Sequence, residues 1–304
     1  MTGPVPADAA LAAFTEHRQA LFGIAYRMLG SVADAEDVLQ DAWLRWSVVD
    51  AEQVHEPRAY LARIVTNLSL NRLTSAAARR EAYVGPWLPE PLVTGQDAMP
   101  TDTGRGDAPH EAEQAEAVSL AMLVVLETLS PLERAVFVLK EVFGFSFAEI
   151  GAMLERSETS VRQVGRRARS HVQARRPRYD APADTRRRVT DQFLAACLGG
   201  DLNQMMELLA PDVTAWTDGG GKIRAALRPL RGADKVARWI LGILRTPLPD
   251  LGVRHVLVNG QPGLLVTSAG APDDVISMDL NADGRIEAIR LIRNPDKLRH
   301  IARE

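Results

Sequence analysis

Between residues 147 and 173 the chain reads FAEIGAMLERSETSVRQVGRRARSHVQ. Arg162, Gln163, Arg166, Arg167 and Arg169 place forked guanidinium and amide groups close together there. Such groups pair with base edges and phosphates when a helix enters a DNA major groove. Val161, Val164, Ala168 and Val172 recur at helical spacing, so one stripe of the same helix is apolar. The chemistry expected of this segment is recognition of a polyanion.

The elements that must position these groups are also legible. Ser146 followed by Glu149 makes a capping box for a first short helix, and Ser157 caps the second. Upstream, Ser130-Pro131-Leu132-Glu133 starts another helix, with Pro in its first turn. Its apolar residues Leu132, Ala135, Val136, Leu139, Val142 and Phe143 are expected behind the helix-turn-helix. The turn reads Glu155-Arg156-Ser157, without the glycine often found there. A basic, solvated helix on an ordinary α-helical protein is the plainer alternative.

At 304 residues the chain has room for two or three domains with cores of their own. Its net charge of −3 hides segregated blocks. From Arg156 to Arg178 the only acidic residue is Glu158, against eight arginines. From Glu90 to Glu116 the sign reverses, with Asp97, Asp102, Asp107, Glu111 and Glu113 between them and Arg105 alone in opposition. Blocks of this kind favour polyelectrolyte partners. Cys197 is the single cysteine, which excludes internal disulfides and cysteine-rich zinc sites, and its apolar neighbours predict a buried structural thiol. No stretch approaches a membrane span and the N-terminus lacks a secretory pattern, so a cytoplasmic location is expected.

Residues 11–83 are helical in pattern, 85–109 read as a linker rich in Pro, Gly, Asp and Thr, and 111–178 are helical again. Beyond 184, two helices (184–198 and 202–209) precede β-prone runs at 213–217, 222–227, 253–258, 264–267, 275–280 and 286–293. A helix at 233–244 interrupts them, and Asn294-Pro295 starts a short last helix. Helices followed by an antiparallel sheet read as α+β.

Two earlier helices carry candidate surfaces. After Ser31, residues Ala35, Val38, Leu39, Ala42 and Trp46 form a core face, and Asp34, Asp37 and Asp41 form a second stripe. Helix-dipole complementation explains Asp34 but not Asp41, two turns in, so a protein-binding acidic face is expected. In the helix from about 57 to 80, Leu61, Ile64, Val65, Leu68 and Leu73 face inward. Arg63, Asn67, Asn71 and Arg72 face outward, with Tyr60, Trp43 and Trp46 near, which suits phosphates and unstacked bases. An amphipathic surface helix would look similar.

The order of these pieces resembles the extracytoplasmic-function (ECF) class of bacterial RNA polymerase σ factors. The resemblance is carried by LFGIAYRMLGSVADAEDVLQDAWLRW (21–46), EPRAYLARIVTNLSLNRL (56–73) and LSPLERAVFVLKEVFGFSFAEIGAML with the helix after it (129–171). It implies a σ2-like domain at 8–83, in which Asp34, Asp37, Asp41 and Leu44 meet core RNA polymerase. Arg63, Asn67, Asn71 and Arg72 would then read the −10 element. A linker at 84–112 would thread the polymerase's basic channels. A σ4-like domain at 113–178 would read the −35 element of promoter DNA through Ser157, Thr159, Ser160, Arg162, Gln163, Arg166, Arg167 and Arg169. The fold class implied is two all-α domains followed by an α+β cone with a curved antiparallel sheet.

That last part, 184–304, is similar to the SnoaL-type, NTF2-like fold, an extension carried by a SigJ-type subgroup of ECF factors. Three signatures match the subgroup: WLPEP (Trp87, Leu88, Pro89, Glu90, Pro91), DGGGK (Asp218, Gly219, Gly220, Gly221, Lys222) and NPDKL (Asn294, Pro295, Asp296, Lys297, Leu298). DGGGK reads as a hairpin turn that another chain segment can approach closely, and WLPEP as a stiff segment with an aromatic anchor suited to docking. A plain turn, linker and helix cap are the alternatives. An enzymatic reading would use Asp212, Asp218, Asp279 or His255 as acid or base, but no sharp constellation appears. The favoured expectation is an internal regulator, tethered to σ4, standing in for a separate anti-σ protein. No catalytic residue, metal or cofactor is expected, the free protein is expected to be a monomer, and a small ligand in the cone is left open. The other class of function considered is a ligand-responsive helix-turn-helix regulator, with no polymerase partner.

Overall fold

The computed structural model describes residues 6–50, 53–94, 118–175 and 179–301, with side chains at 6–8 and 75–81 left aside. The chain forms two compact units: residues 1–81 with 123–176, and residues 82–122 with 177–304.

The first unit is helical. α1 (Pro6–Leu29), α2 (Val32–Trp46) and α3 (Pro57–Glu81) pack on one another. Ser31 Oγ accepts from the amide of Asp34 and starts α2, whose residues Ala35, Val38, Leu39, Ala42 and Trp46 are all buried as expected. The Trp46 indole donates to the Ala10 carbonyl at 2.8 Å, so this aromatic belongs to the core. On α3, Leu61, Val65, Leu68 and Leu73 are buried and Ile64 is half-buried.

The rest of this unit comprises α4 (Leu120–Leu126), which starts at the boundary between the units, α5 (Pro131–Phe137), a wider π turn (Val138–Val142), α6 (Phe147–Leu154) and α7 (Glu158–Arg175). Both expected capping boxes form, Ser130 with Glu133 and Ser146 with Glu149. Glu155 adopts the left-handed conformation (φ 54°) where a glycine is usual, and the turn closes with Arg156 N–H on the Gly151 carbonyl at 2.9 Å. Val161, Val164, Ala168 and Val172 are buried. Two residues of the expected core face are not buried: Leu132 is half-buried, and Val142 is exposed, because the π turn rotates it away from the stripe that Leu139 and Phe143 occupy.

In the second unit, α8 (Ala183–Gly199), α9 (Leu202–Leu208) and α10 (Ala233–Ile243) accompany a seven-stranded sheet. Its strands are β1 (Val93–Thr94), β2 (Leu209–Asp218), β3 (Leu230–Arg231), β4 (Gly252–Val258), β5 (Gln261–Ser268), β6 (Ala271–Leu280) and β7 (Ile286–Ile292), and α11 (Pro295–Leu298) follows. The order is β1-β4-β5-β6-β7-β2-β3. Phe193, Met205, Val213, Val236, Ile240, Met278 and Ile289 are among its core residues. This is the NTF2-like arrangement of helices against a curved sheet, with register shifts in β2, between β5 and β6 and between β6 and β7 where the strands bend.

Three expectations change. The sheet is mixed, because β2 runs parallel to β7 while the other neighbours are antiparallel. The run at 222–227 is not a strand: the amides of Lys222 and Ile223 both turn back onto the Gly219 carbonyl, so DGGGK opens a loop and not a hairpin. Residues 84–94, expected in the linker, belong to the second unit and contribute the edge strand β1, whereas Asp97, Asp102, Asp107, Glu111, Glu113 and Glu116 lie outside the described residues. Replacing Ser146 by Ala removes the α6 cap and is expected to cost about 1 kcal/mol in urea unfolding of the helical unit.

Candidate DNA and interdomain sites

In α7 the expected readers lie along one face. Ser157, Thr159, Arg162, Gln163, Arg166, Arg167 and Arg169 are exposed and Ser160 is half-buried. Ser157 caps the helix by accepting from the Ser160 amide at 3.3 Å. Arg162 pairs with Glu158 one turn back, Arg169 with Glu141 at 2.6 Å, and Arg167 stands 3.9 Å from Glu133. The Arg162 and Arg169 pairs join partly exposed side chains and are worth at most about 1 kcal/mol each, so a phosphate can displace those carboxylates, whereas the Glu133 side chain is only 13% exposed. Glu133 is held below the usual carboxylate range: burial raises it, but hydrogen bonds from Ser130 and the charges of His171 and Arg167 outweigh that.

The acidic stripe of α2 and the flank of α3 meet each other. Arg72 reaches Asp37 at 3.0 Å, Asp41 at 3.3 Å and Asp34 at 3.4 Å. Burial pulls this guanidinium down, yet its hydrogen bonds to Asp37 and Asp41 leave it above its ordinary value. Leu44 is 61% exposed beside this cluster. Arg72, expected as a −10 contact, pairs here with the acidic stripe. Arg63 pairs with Glu155, the left-handed turn residue of the helix-turn-helix, at 2.9 Å, and Asn67 donates to the Met153 carbonyl at 3.5 Å. Asn71 is exposed. Arg58 donates to the Phe143 carbonyl at 3.0 Å, and the buried Arg134 bridges the Met28 carbonyl and Glu127 at 2.6 and 2.8 Å. The face of α3 expected at the −10 element is thus packed against the end of α6.

In the second unit the three signatures converge. Asp218 ends β2 fully buried, and its carboxylate accepts from the Tyr83 hydroxyl, from the Leu88 amide at 2.8 Å and from Lys297 Nζ at 2.7 Å. Lys297 also donates to the Leu88 carbonyl, and its ammonium lies 4.1 Å from the Trp87 ring centre and 5.0 Å from that of Tyr83. Asn294 donates to the Tyr83 oxygen at 2.8 Å while its own carbonyl caps α11 through the Asp296 amide. Lys222 pairs with Asp296. Burial and the bond to Asp218 push the Tyr83 phenol up, so it stays a proton donor. The glycines of the loop are required by space: a Cβ on Gly220 (φ +60°) would collide with the Asn294 amide, and one on Gly221 (φ +71°) would press on Val84. Leu88, Pro89, Glu90 and Pro91 are buried, His300 meets the Pro91 carbonyl at 2.8 Å, and Leu92 exchanges hydrogen bonds with Asn259 where β1 joins β4.

Tyr83, Asn259 and His300 were missed from sequence. Tyr83 falls in the helical pattern assigned to σ2, and only the fold carries it to Asp218. The four acid-base candidates are occupied or outside the cone: Asp218 in the clamp, Asp279 on Arg290 at 2.7 Å, His255 by Asp191 at 2.8 Å, and Asp212 exposed. Among the described residues, a carboxylate that does face the cone's interior is Asp274, which no sequence pattern singled out. Burial pushes it up to about 6, although Arg293 pulls it down. Cys197 also faces that space, half-buried, and burial pushes its thiol up to about 12, so it is not a nucleophile at neutral pH.

Two outcomes are expected. Replacing Lys297 by Met leaves the Asp218 charge buried without its cation, which should cost about 3–5 kcal/mol in denaturant unfolding of the second unit. Because the folded-state value of Asp274 lies above its ordinary 3.8, the folded chain binds that proton more tightly. Its contribution to stability is present in acid and lost as pH rises from about 4 to about 6. Unfolding series at stepped pH should show that slope in the wild type and a flatter one in Asp274→Asn.

Comparison with known proteins agrees with this architecture. The model of Sigma-70 region 2 matches residues 13–79 and that of Sigma-70, region 4 matches residues 119–172. The chain is 41% identical to the ECF RNA polymerase sigma factor SigJ of Mycobacterium tuberculosis, covering 93% of this chain and 91% of that protein. It is 30% identical to SigG of the same organism, over 86% and 75%. The crystal structure of M. tuberculosis SigJ superposes with a TM-score of 0.73 at 37% identity, covering 94% and 97% of the two chains. With the helix-turn-helix, the σ2 bundle and the C-terminal cone all accounted for along one relative, this chain belongs to the ECF σ factors of the SigJ type.

Proposed function

We propose that the protein binds core RNA polymerase through the α2 stripe and directs it to promoters read by α3 and α7, and that the C-terminal unit restrains this activity from within. The observation that carries the regulatory part is the Asp218–Lys297 clamp on residues 83–94. Those residues begin the connector between α3 and α4, the two halves of the promoter reader. While they are held, roughly 40 Å of extended chain is withdrawn from that connector.

The helical unit supports a restrained state on separate grounds. Elements at −10 and −35 are about 25 base pairs apart, roughly 85 Å along B-DNA. A unit in which Arg63 pairs with Glu155 and Asn67 bonds Met153 holds its two readers in contact. It must open before both can be used. The Arg63–Glu155 pair is exposed and the part-buried Asn67 bond is long at 3.5 Å, so polymerase contacts suffice to replace them. The Arg72 cluster would exchange in the same way, releasing Asp34, Asp37 and Asp41 to a basic partner. A repressor acting without polymerase has no use for that acidic stripe.

The test is promoter-directed transcription with core polymerase, using the full chain, a form ending near Ala181, and Leu88→Asp, which sets a second carboxylate beside Asp218. The expected result is a rise of at least threefold in both altered forms relative to the full chain. Equal promoter affinity and equal transcription in all three would remove the internal-regulator reading while leaving the σ factor assignment intact. Arg162→Ala and Arg166→Ala are each expected to weaken −35 binding by about 1–3 kcal/mol where the contact is bidentate to a base, and less where it is to phosphate. Gel-shift titration with the polymerase holoenzyme measures both.

A further inference from the structure

The cone of the second unit encloses a cavity of about 670 Å³, within the size range of small-molecule sites. Phe193, Leu198, Trp239, Leu251, Val266 and Ile276 give it apolar walls; of its charged lining residues, Arg224 and Arg238 are exposed, the latter paired with Asp234, and the charges largely buried at one end of the cavity are Asp274 and Arg293. Arg293 donates to Asp274 through Nε, to Asp273 through Nη2 at 3.4 Å and to the Arg224 carbonyl through Nη1 at 3.0 Å. Two carboxyl groups thus share one guanidinium. An anionic ligand would meet like charge at this end, and a cation would lose its hydration against apolar walls beside a carboxylate already paired. A neutral hydroxyl suffers neither penalty.

The same end of the cavity is tied to the clamp. The Arg293 amide donates to the Asp218 carbonyl at 2.8 Å, and its neighbour Asn294 holds Tyr83. Arg224, whose carbonyl Arg293 grips, lies just beyond the glycine loop. We propose that this cavity binds a neutral, mostly apolar small molecule whose hydroxyl donates to Asp274, and that occupancy tightens the hold on residues 83–94. A ligand on Asp274 fixes the Arg293 side chain, and with it the adjacent ends of the parallel strands β2 and β7 that present Asp218 and Asn294. The coupling half of this inference rests on the internal-restraint reading above; the binding half does not.

The probe is β-naphthol, compared with β-naphthoate of the same ring size, titrated by fluorescence into the full chain. Naphthol should bind saturably at one site, and naphthoate at least tenfold more weakly. Val266→Phe fills apolar space inside the cavity on a strand that favours aromatics, so it should weaken naphthol at least tenfold with an unchanged melting temperature. Asp274→Asn should narrow the naphthol-to-naphthoate ratio at least threefold. Absent saturable naphthol binding, equal affinity for both probes, or indifference to Val266→Phe would overturn the site. For the coupling, saturating naphthol should slow hydrogen–deuterium exchange across 83–94, where the Leu88 and Leu92 amides are bonded, at least threefold. Unchanged exchange with confirmed binding would overturn the coupling alone. Slowed exchange together with indifferent transcription by Leu88→Asp would instead discard the restraint reading and keep the site.

Discussion

The buried pair of Asp218 and Lys297 is the contact on which the C-terminal architecture turns. A carboxylate with no solvent exposure is tolerated only where its lone pairs are filled, and here a phenol, an amide and an ammonium fill them. Two of those three donors, Tyr83 and Leu88, come from far upstream in the chain. The glycines after Asp218 let Asn294 and Val84 come close enough to complete the enclosure. Removal of the upstream segment would leave a charge in the interior, so the cone's stability and the anchoring of residues 83–94 are one physical problem.

That dependence has a functional side. A buried pair stabilises little in net terms compared with apolar packing, but it discriminates sharply between partners in place and partners absent. The helical unit works in the opposite regime. Its contacts at Arg72, Arg63 and Asn67 are of another kind: two are ion pairs to partly exposed carboxylates and the third is a long, part-buried bond to a backbone carbonyl, so each contributes little. Residues 83–94 are thus held by a buried charge pair, and the helical unit's polar contacts by weaker surface pairing.

Much of the helical unit is legible in the order of its residues. The stripe of Val161, Val164, Ala168 and Val172, both capping boxes and the core face of α2 follow from helical periodicity and local hydrogen bonding, which act within a few residues. The three signatures WLPEP, DGGGK and NPDKL also stand out as short runs. Their meeting does not, because it depends on β2 lying beside β7 in parallel, a pairing between segments more than seventy residues apart that no local pattern encodes. Val142 was misplaced for the related reason that a π turn changes the helical period by a fraction of a residue.

The sequence by itself determined the chain's class and the helices that carry the candidate readers: charged blocks, caps and apolar spacing are properties of neighbouring residues and survive in any fold that keeps the helices. The tertiary structure decided which charges are spoken for. Arg72, expected at DNA, pairs with the acidic stripe; Asp218, an acid-base candidate, sits in the clamp; and Asp274 emerged at the end of a cavity that exists only once helices close over the sheet. Burial is what makes the difference, since a charge that costs nothing in water must find its partner once the fold excludes water from it.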